Sequence, residues 1–263
     1  MAMPWAARLA PEPFRDFLPY ASASALKVIH VTQVARRALE VAQHVSDQTS
    51  RMRAAARLEE SLRAAGFDSE IRILSEPGPG LTMAGLSEGD RTTIGDRVLA
   101  LYFHLLHWDG PLFLDLRPRH FRWVAERRQL WFYPSGLWCN PDADFTEHLR
   151  ALYAGFYRQD RLALARGIEL YRWDCSPSDG FDLRIEQLLR SHFGSAGDLP
   201  TRFSIAHFRT TFDAIFDEVA ASHAKLHPDL TFLGVELVSL YLTLESVAVA
   251  LDAQRAFERA VGL

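Results

Sequence analysis

The chain has 263 residues, with 29 Lys and Arg against 33 Asp and Glu, a formal charge of −4. That balance excludes a dedicated binder of nucleic acid or of an anionic membrane, which needs a basic excess. With 48% apolar and 24% charged residues, the composition is that of a globular chain able to bury a core, not of a disordered one.

Residues 1–33 mix Pro, Ala and Ser with short β-prone runs such as Val28-Ile29-His30-Val31. From Val34 the apolar positions Ala38, Val41, Val45, Met52, Ala55 and Leu62 recur at helical spacing. They predict one long helix that stops near Gly66, a residue suited to a C-terminal cap. Glu70 to Leu74 alternates as a short strand, Pro77-Gly78-Pro79-Gly80 breaks it, and Leu81-Thr82-Met83 resumes extended structure. Thr93 to Trp108 reads as a strongly apolar helix, ended by Asp109-Gly110-Pro111. A hairpin follows, with strands near Phe121–Val124 and Leu130–Tyr133 joined by the polar turn Glu126-Arg127-Arg128-Gln129. The remainder reads as helices over about 145–157, 159–170, 180–193, 204–224 and 229–261.

The apolar run Phe232 to Leu251 contains Glu236 and Glu245 and reads as a buried core helix, so no transmembrane segment is expected. Cys139 and Cys175 form no C-x-x-C pair, and the N-terminus shows no charged-then-apolar leader. The expectation is a cytoplasmic protein with reduced thiols. Element order predicts an α+β, mostly helical class, with residues 1–88 as a small mixed part and 89–263 as a helical part carrying the hairpin. That succession resembles a protein-kinase-like fold with a reduced N-terminal lobe and a large helical C-terminal lobe, whose catalytic and metal loops flank such a hairpin.

The stretch Gly110-Pro-Leu-Phe-Leu-Asp115-Leu-Arg-Pro118-Arg-His120 sharpens the likeness. It resembles the catalytic loop of the AarF/UbiB (ADCK) atypical kinase family, roughly G-x-x-H-x-D-x-H-P-G-N, with Gly110, Asp115 and Pro118 in register. Three more segments are similar to family landmarks, in the family's order. Pro19-Tyr-Ala-Ser-Ala-Ser-Ala25 resembles the alanine-rich loop, Leu81-Thr-Met-Ala-Gly-Leu-Ser-Glu-Gly89 the hinge, and Leu233-Gly-Val-Glu-Leu237 through Asp252 the closing helix. The resemblance implies a nucleotide cleft with Met83, Ala84 and Gly85 along its edge and Asp115 positioning an acceptor hydroxyl; Lys27 is its lysine only if the Pro19–Ala25 segment is not the alanine-rich loop, since that alignment puts Lys27 one strand too early. Family ties to quinone and isoprenoid-lipid pathways imply a protein partner, or an apolar or isoprenoid ligand, while the charge balance already speaks against nucleic acid.

The departures bear on chemistry. Pro134 stands in place of the metal-binding Asp, His120 in place of the catalytic-loop Asn, and Phe113 in place of the loop's His. Ala54 falls where an acidic partner for the lysine belongs, and the family's K-x-G-Q signature has no match. Proline offers no side-chain oxygen and imidazole suits Mg²⁺ poorly. Ordinary kinase activity is therefore not expected, nor is a bound cofactor. The chain reads as a pseudokinase, an accessory protein that holds a partner enzyme or ligand. The alternative is an enzyme with a repurposed cleft, in which Asp115 and His120 perform acid–base work on a small metabolite or nucleotide.

Three further clusters bear on a site. His104 and His107, at i and i+3, read either as half-buried core histidines or as a start on a metal site. Arg117 and Arg119, with Arg122, Arg127 and Arg128, form a basic group able to hold a phosphate or carboxylate without metal. Trp123, Trp131 and Trp138 crowd the hairpin and are candidate partner-binding rings. No G-x-S-x-G elbow and no G-x-G-x-x-G turn occurs.

Overall fold

Helix caps, more than β-propensity, decide where the elements begin. The computed structural model describes residues 12–20, 22–173, 179–193 and 200–262, which leaves Cys175 outside the described residues. A 3-10 segment, Glu12–Tyr20, precedes helix α1 (Ala23–Val28). Ser22 Oγ accepts the amide of Ala25 at 3.0 Å and caps α1, so the β-prone run around Lys27 and Val28 is helical rather than extended. The single helix expected from Val34 is two, α2 (Val31–Ser46) and α3 (Gln48–Ala64). Asp47 accepts the Ser50 amide at 3.0 Å and starts a new helix there, while the apolar rhythm runs on across the break.

The chain forms two compact units. One comprises Met1–Ala42, Pro141–Asp198 and Ala206–Val238; the other comprises Gln43–Asn140, Leu199–Ile205 and Ser239–Leu263. Position 88, the boundary expected between parts, lies within the second unit's Gln43–Asn140 segment.

In the first unit, α5 (Ala143–Tyr157) and α6 (Arg161–Ile168) make a helical hairpin. Asp160 accepts the amides of Leu162 and Ala163 at 2.9 and 3.1 Å to start α6. Two glycines let these helices touch backbone to backbone. A Cβ on Gly155 would lie 2.2 Å from the Leu164 nitrogen, and one on Gly167 would lie 2.4 Å from Leu152 Cα. Helices α7 (Phe181–Phe193) and α8 (Ile205–Ala221) follow, and α9 (Leu230–Val247) begins in this unit's last segment and continues from Ser239 as part of the second unit. Among the described residues α9 is the one helix long and apolar enough to cross a membrane, and 67% of it is buried inside the protein. Within it Glu236 is fully buried, and burial pushes its carboxyl well above the usual range. Just before α9, the buried Asp229 carboxylate meets Arg37 at 2.6 Å. Burial, aided by the His207 charge, lowers the His192 imidazole to about 3, and its Nδ1 lies 2.7 Å from Thr211 Oγ1.

The second unit carries the strands. β1 (Ile71–Ile73), β3 (Phe121–Val124) and β4 (Gln129–Phe132) form one sheet, with β4 central, parallel to β1 and antiparallel to β3. β2 (Leu112–Phe113) pairs antiparallel with β5 (Trp138–Cys139). The apolar helix α4 (Glu88–His107) starts earlier than Thr93, because Ser87 Oγ accepts the Asp90 amide at 3.1 Å and draws a polar first turn into the helix. The helix expected over 229–261 breaks at Ala248, whose φ is +57°, leaving the short strand β7 (Ala250–Leu251) and helix α10 (Ala253–Ala260). Thr201–Arg202, strand β6, pairs with β7. The hairpin strands stand where the sequence predicts them, and the fold is α+β and mostly helical.

Gly155→Ala is expected to destabilise the protein by about 1–3 kcal/mol, the usual range for forced overpacking, because backbone rather than a flexible side chain blocks the new methyl. Urea unfolding checks this; a midpoint equal to the parent's contradicts the close α5–α6 contact.

Candidate functional site

Asp115 is only 2% exposed, between Leu114 and Leu116, both fully buried. A carboxylate there needs compensating donors, and its neighbours three-dimensionally and in sequence supply them. Arg117 grips it as a fork, with Nε 2.7 Å from Oδ1 and Nη2 2.6 Å from Oδ2. Arg119 Nη2 donates to Oδ2 at 3.0 Å, and His120 Nε2 lies 3.0 Å from the same oxygen. The same imidazole nitrogen also lies 3.2 Å from Arg119 Nε, which donates to it, so His120 sits between the carboxylate and that guanidinium. Burial alone would raise the Asp115 pKa. The hydrogen bonds and charges of Arg117 and His120 outweigh it and hold the carboxyl well below the usual range.

The backbone on both sides of Asp115 is pinned. Ser239 Oγ donates to the Leu114 carbonyl at 3.0 Å and accepts the Leu116 amide at 2.8 Å. Thr243 Oγ1 donates to the Leu116 carbonyl at 2.5 Å. These two hydroxyls, one turn apart on α9, belong to the same unit as the loop and are fully buried. Sequence reasoning missed them; the available signal was a pair of polar residues at i and i+4 in an otherwise apolar helix.

The segment after the hairpin is sewn to the loop. Tyr133 N donates to the His120 carbonyl at 2.8 Å, and Leu114 N donates to the Leu137 carbonyl at 2.9 Å. The His120 ring stacks on Tyr133, their centroids 6.0 Å apart. Leu81 N donates to the Pro118 carbonyl at 2.9 Å, so the segment leading to Met83, Ala84 and Gly85 is tied to the same loop. Gly80, at φ +81°, makes that approach possible: a Cβ there would lie 3.3 Å from Arg119 Cα. The structure thus gathers Asp115, Arg117, Arg119 and His120 into one cluster, with the residue 81–86 turn attached at Leu81.

Other expected site residues fall elsewhere. Lys27 lies exposed on α1, in the first unit, and not on a strand; its carbonyl accepts a hydrogen bond from Lys225 Nζ. His104 is buried, with Nε2 2.9 Å from Ser61 Oγ, and burial with the nearby His107 charge lowers it to about 4. His107 Nδ1 pairs with the Phe103 carbonyl at 2.9 Å. Both imidazoles are therefore engaged by protein groups, and no cluster of three or more His, Cys, Asp or Glu gathers among the described residues.

Trp138 is a correction. Both residues of β5 are buried, and the Trp138 ring stacks on His44 at 3.9 Å, so it packs the interior and is not a surface for a partner. Trp123 is half-buried beneath Arg97, whose Cζ is 5.4 Å from the ring centroid. Trp131 is half-buried and lies on the sheet between Arg72 and Arg122.

The donor set around Asp115 does not fit Mg²⁺. The Asp115 oxygens are taken by two guanidiniums and an imidazole, Pro134 has no side-chain oxygen, and His120 offers nitrogen. The same geometry disfavours Asp115 as a general base, since a carboxylate held this acidic has little affinity for a proton near neutrality. Comparison with protein-family models gives no match, and comparison with curated proteins gives none either.

Asp115→Asn is expected to cost about 1–3 kcal/mol at pH 7, because it removes the charged acceptor of the half-buried Arg117 and His120, Arg119 being exposed to water. Since the folded-state pKa is depressed, this stability is present above the unfolded value, about 3.9, and is lost as pH falls through the folded one. The gap between parent and variant therefore narrows below about pH 4. Urea unfolding across pH measures it; equal stability at pH 7 contradicts the clamp.

Proposed function

We propose that this chain is a non-catalytic binding module built on a kinase-like scaffold, an accessory protein that works by holding a partner. One observation carries the reading: the carboxylate that corresponds to the acceptor-positioning Asp is closed off by Arg117, Arg119 and His120. Phosphoryl transfer needs that oxygen open to a hydroxyl and needs hard oxygen ligands for the metal. Here both requirements fail at one place.

The scaffold half of the proposal rests on topology. Asp115 lies two residues beyond the end of β2, the hairpin β3–β4 comes next, and the Tyr133–Gly136 segment leads into β5, which returns to pair with β2. This arrangement supports likening the second unit to a lobe whose catalytic and metal loops flank a hairpin. The accessory half rests on what such a lobe retains once that chemistry is gone: a rigid, cross-linked loop beside a sheet rich in Trp and Arg.

Incubation with Mg²⁺ and ATP is expected to release no γ-phosphate and to leave the melting temperature unchanged. Turnover, together with a rise of roughly 5 °C or more at saturating nucleotide, overturns the reading.

A further inference from the structure

The outward face of the β1-β4-β3 sheet carries a charge pattern that the Asp115 cluster does not use. Strand alternation buries Ile71, Phe121, Leu130 and Phe132 and sends Arg72, Trp131 and Arg122 outward. Register aligns these three in one row, with Arg72 opposite Trp131 across β1 and β4 and Arg122 opposite it across β3 and β4. The guanidinium carbons sit 5.3 and 5.4 Å from the indole centroid. Both arginines are exposed, and among the described residues neither has an ion-pair partner. Arg37, Arg97, Arg117 and Arg184, by contrast, all meet carboxylates.

We propose that this face docks an acidic segment of a protein partner, its carboxylates received by Arg72 and Arg122 on either side of Trp131. The proposal deepens the binding-module reading and rests on it for the partner being a protein. A guanidinium stacked on a ring keeps its in-plane N–H donors open, which is the geometry that grips a carboxylate bidentately. Val124 and Gln129 share the outward face, so no acid of the three strands offsets the two charges. The face is locally positive on a chain of net charge −4, and its complement is a run of Asp or Glu. Flanking strands lie about 10 Å apart across β4, so an extended acidic stretch, rather than a single carboxylate, engages both arginines. Single-stranded nucleic acid is the poorer fit, because bases need an open aromatic face. Arginines from the strands on either side of β4 already cover Trp131.

Fluorescence anisotropy with a labelled polyglutamate peptide tests the proposal, with a glutamine peptide of equal length and labelled oligo-dT as competing probes. The expected result is binding of the glutamate peptide alone, weakened by salt and at least about tenfold weaker in Arg72→Gln/Arg122→Gln. Arg127→Gln, on the hairpin turn, is expected to bind like the parent. Thermal melting verifies that the double variant is folded, and the two single variants, each losing part of the affinity, decide the matter if it is not. No binding, equal binding of the glutamine peptide, tighter binding of oligo-dT, or indifference to both arginines overturns the proposal. So does self-association that the double variant abolishes without any peptide binding, which assigns the face to a second copy. Phosphoryl transfer in the Mg²⁺–ATP assay removes the binding-module reading itself; failure of the peptide arm alone removes only this face.

Discussion

A carboxylate shut away from water must be compensated by nearby donors, and in this protein the need to compensate Asp115 shapes the loop that runs from it to His120. Arg117 and Arg119 turn back on the residue that precedes them, and His120 closes the ring of donors. Such a loop keeps its shape only if its own backbone is held. Ser239 and Thr243 hold it from one side, and the β2–β5 pair and the His120–Tyr133 hydrogen bond hold it from the other. Buried polar networks of this kind are favourable when every member is satisfied and costly when one is removed. The cluster therefore behaves as a unit, and its chemistry is that of a structural clamp.

That constraint also decides what the loop can do. On the proposed kinase-like reading, the positions that would place a hydroxyl and coordinate a metal are occupied by groups that neutralise one another or offer no oxygen. Charge is thereby divided: inside the loop, arginines are committed to a buried acid, while on the neighbouring sheet Arg72 and Arg122 face outward without one. The near-neutral total of the chain conceals this local separation. Under the proposed reading the exposed row serves recognition, which needs a fixed surface and no proton to be moved.

Much of this was legible in the residues before the structure. The hairpin strands and the apolar helix before the loop follow from short-range spacing, which sequence displays directly, whereas Arg117 and Arg119, read there as a site for an anionic ligand, donate to Asp115 itself. What stayed hidden depended on distance or on competition between signals. Ser239 and Thr243 reach the loop from 123 and 127 residues away, and no local pattern announces such contacts. Lys27 has β-branched neighbours that suggest a strand, yet the Ser22 cap wins. Asp47 divides what apolar periodicity reads as one helix, because a cap changes chain direction without disturbing the rhythm. Trp138 looks exposed in a short alternating strand, but β5 pairs with β2 and has both its residues buried.

The central claim is that Asp115 is held ionised by its internal cations, and the most direct test reads that carboxyl itself. Its ¹³C resonance can be followed by NMR during acid titration and assigned by its loss in Asp115→Asn. The clamp predicts no titration of this carbon until the protein unfolds. A midpoint near the ordinary aspartate value of about 4 in the folded state contradicts it.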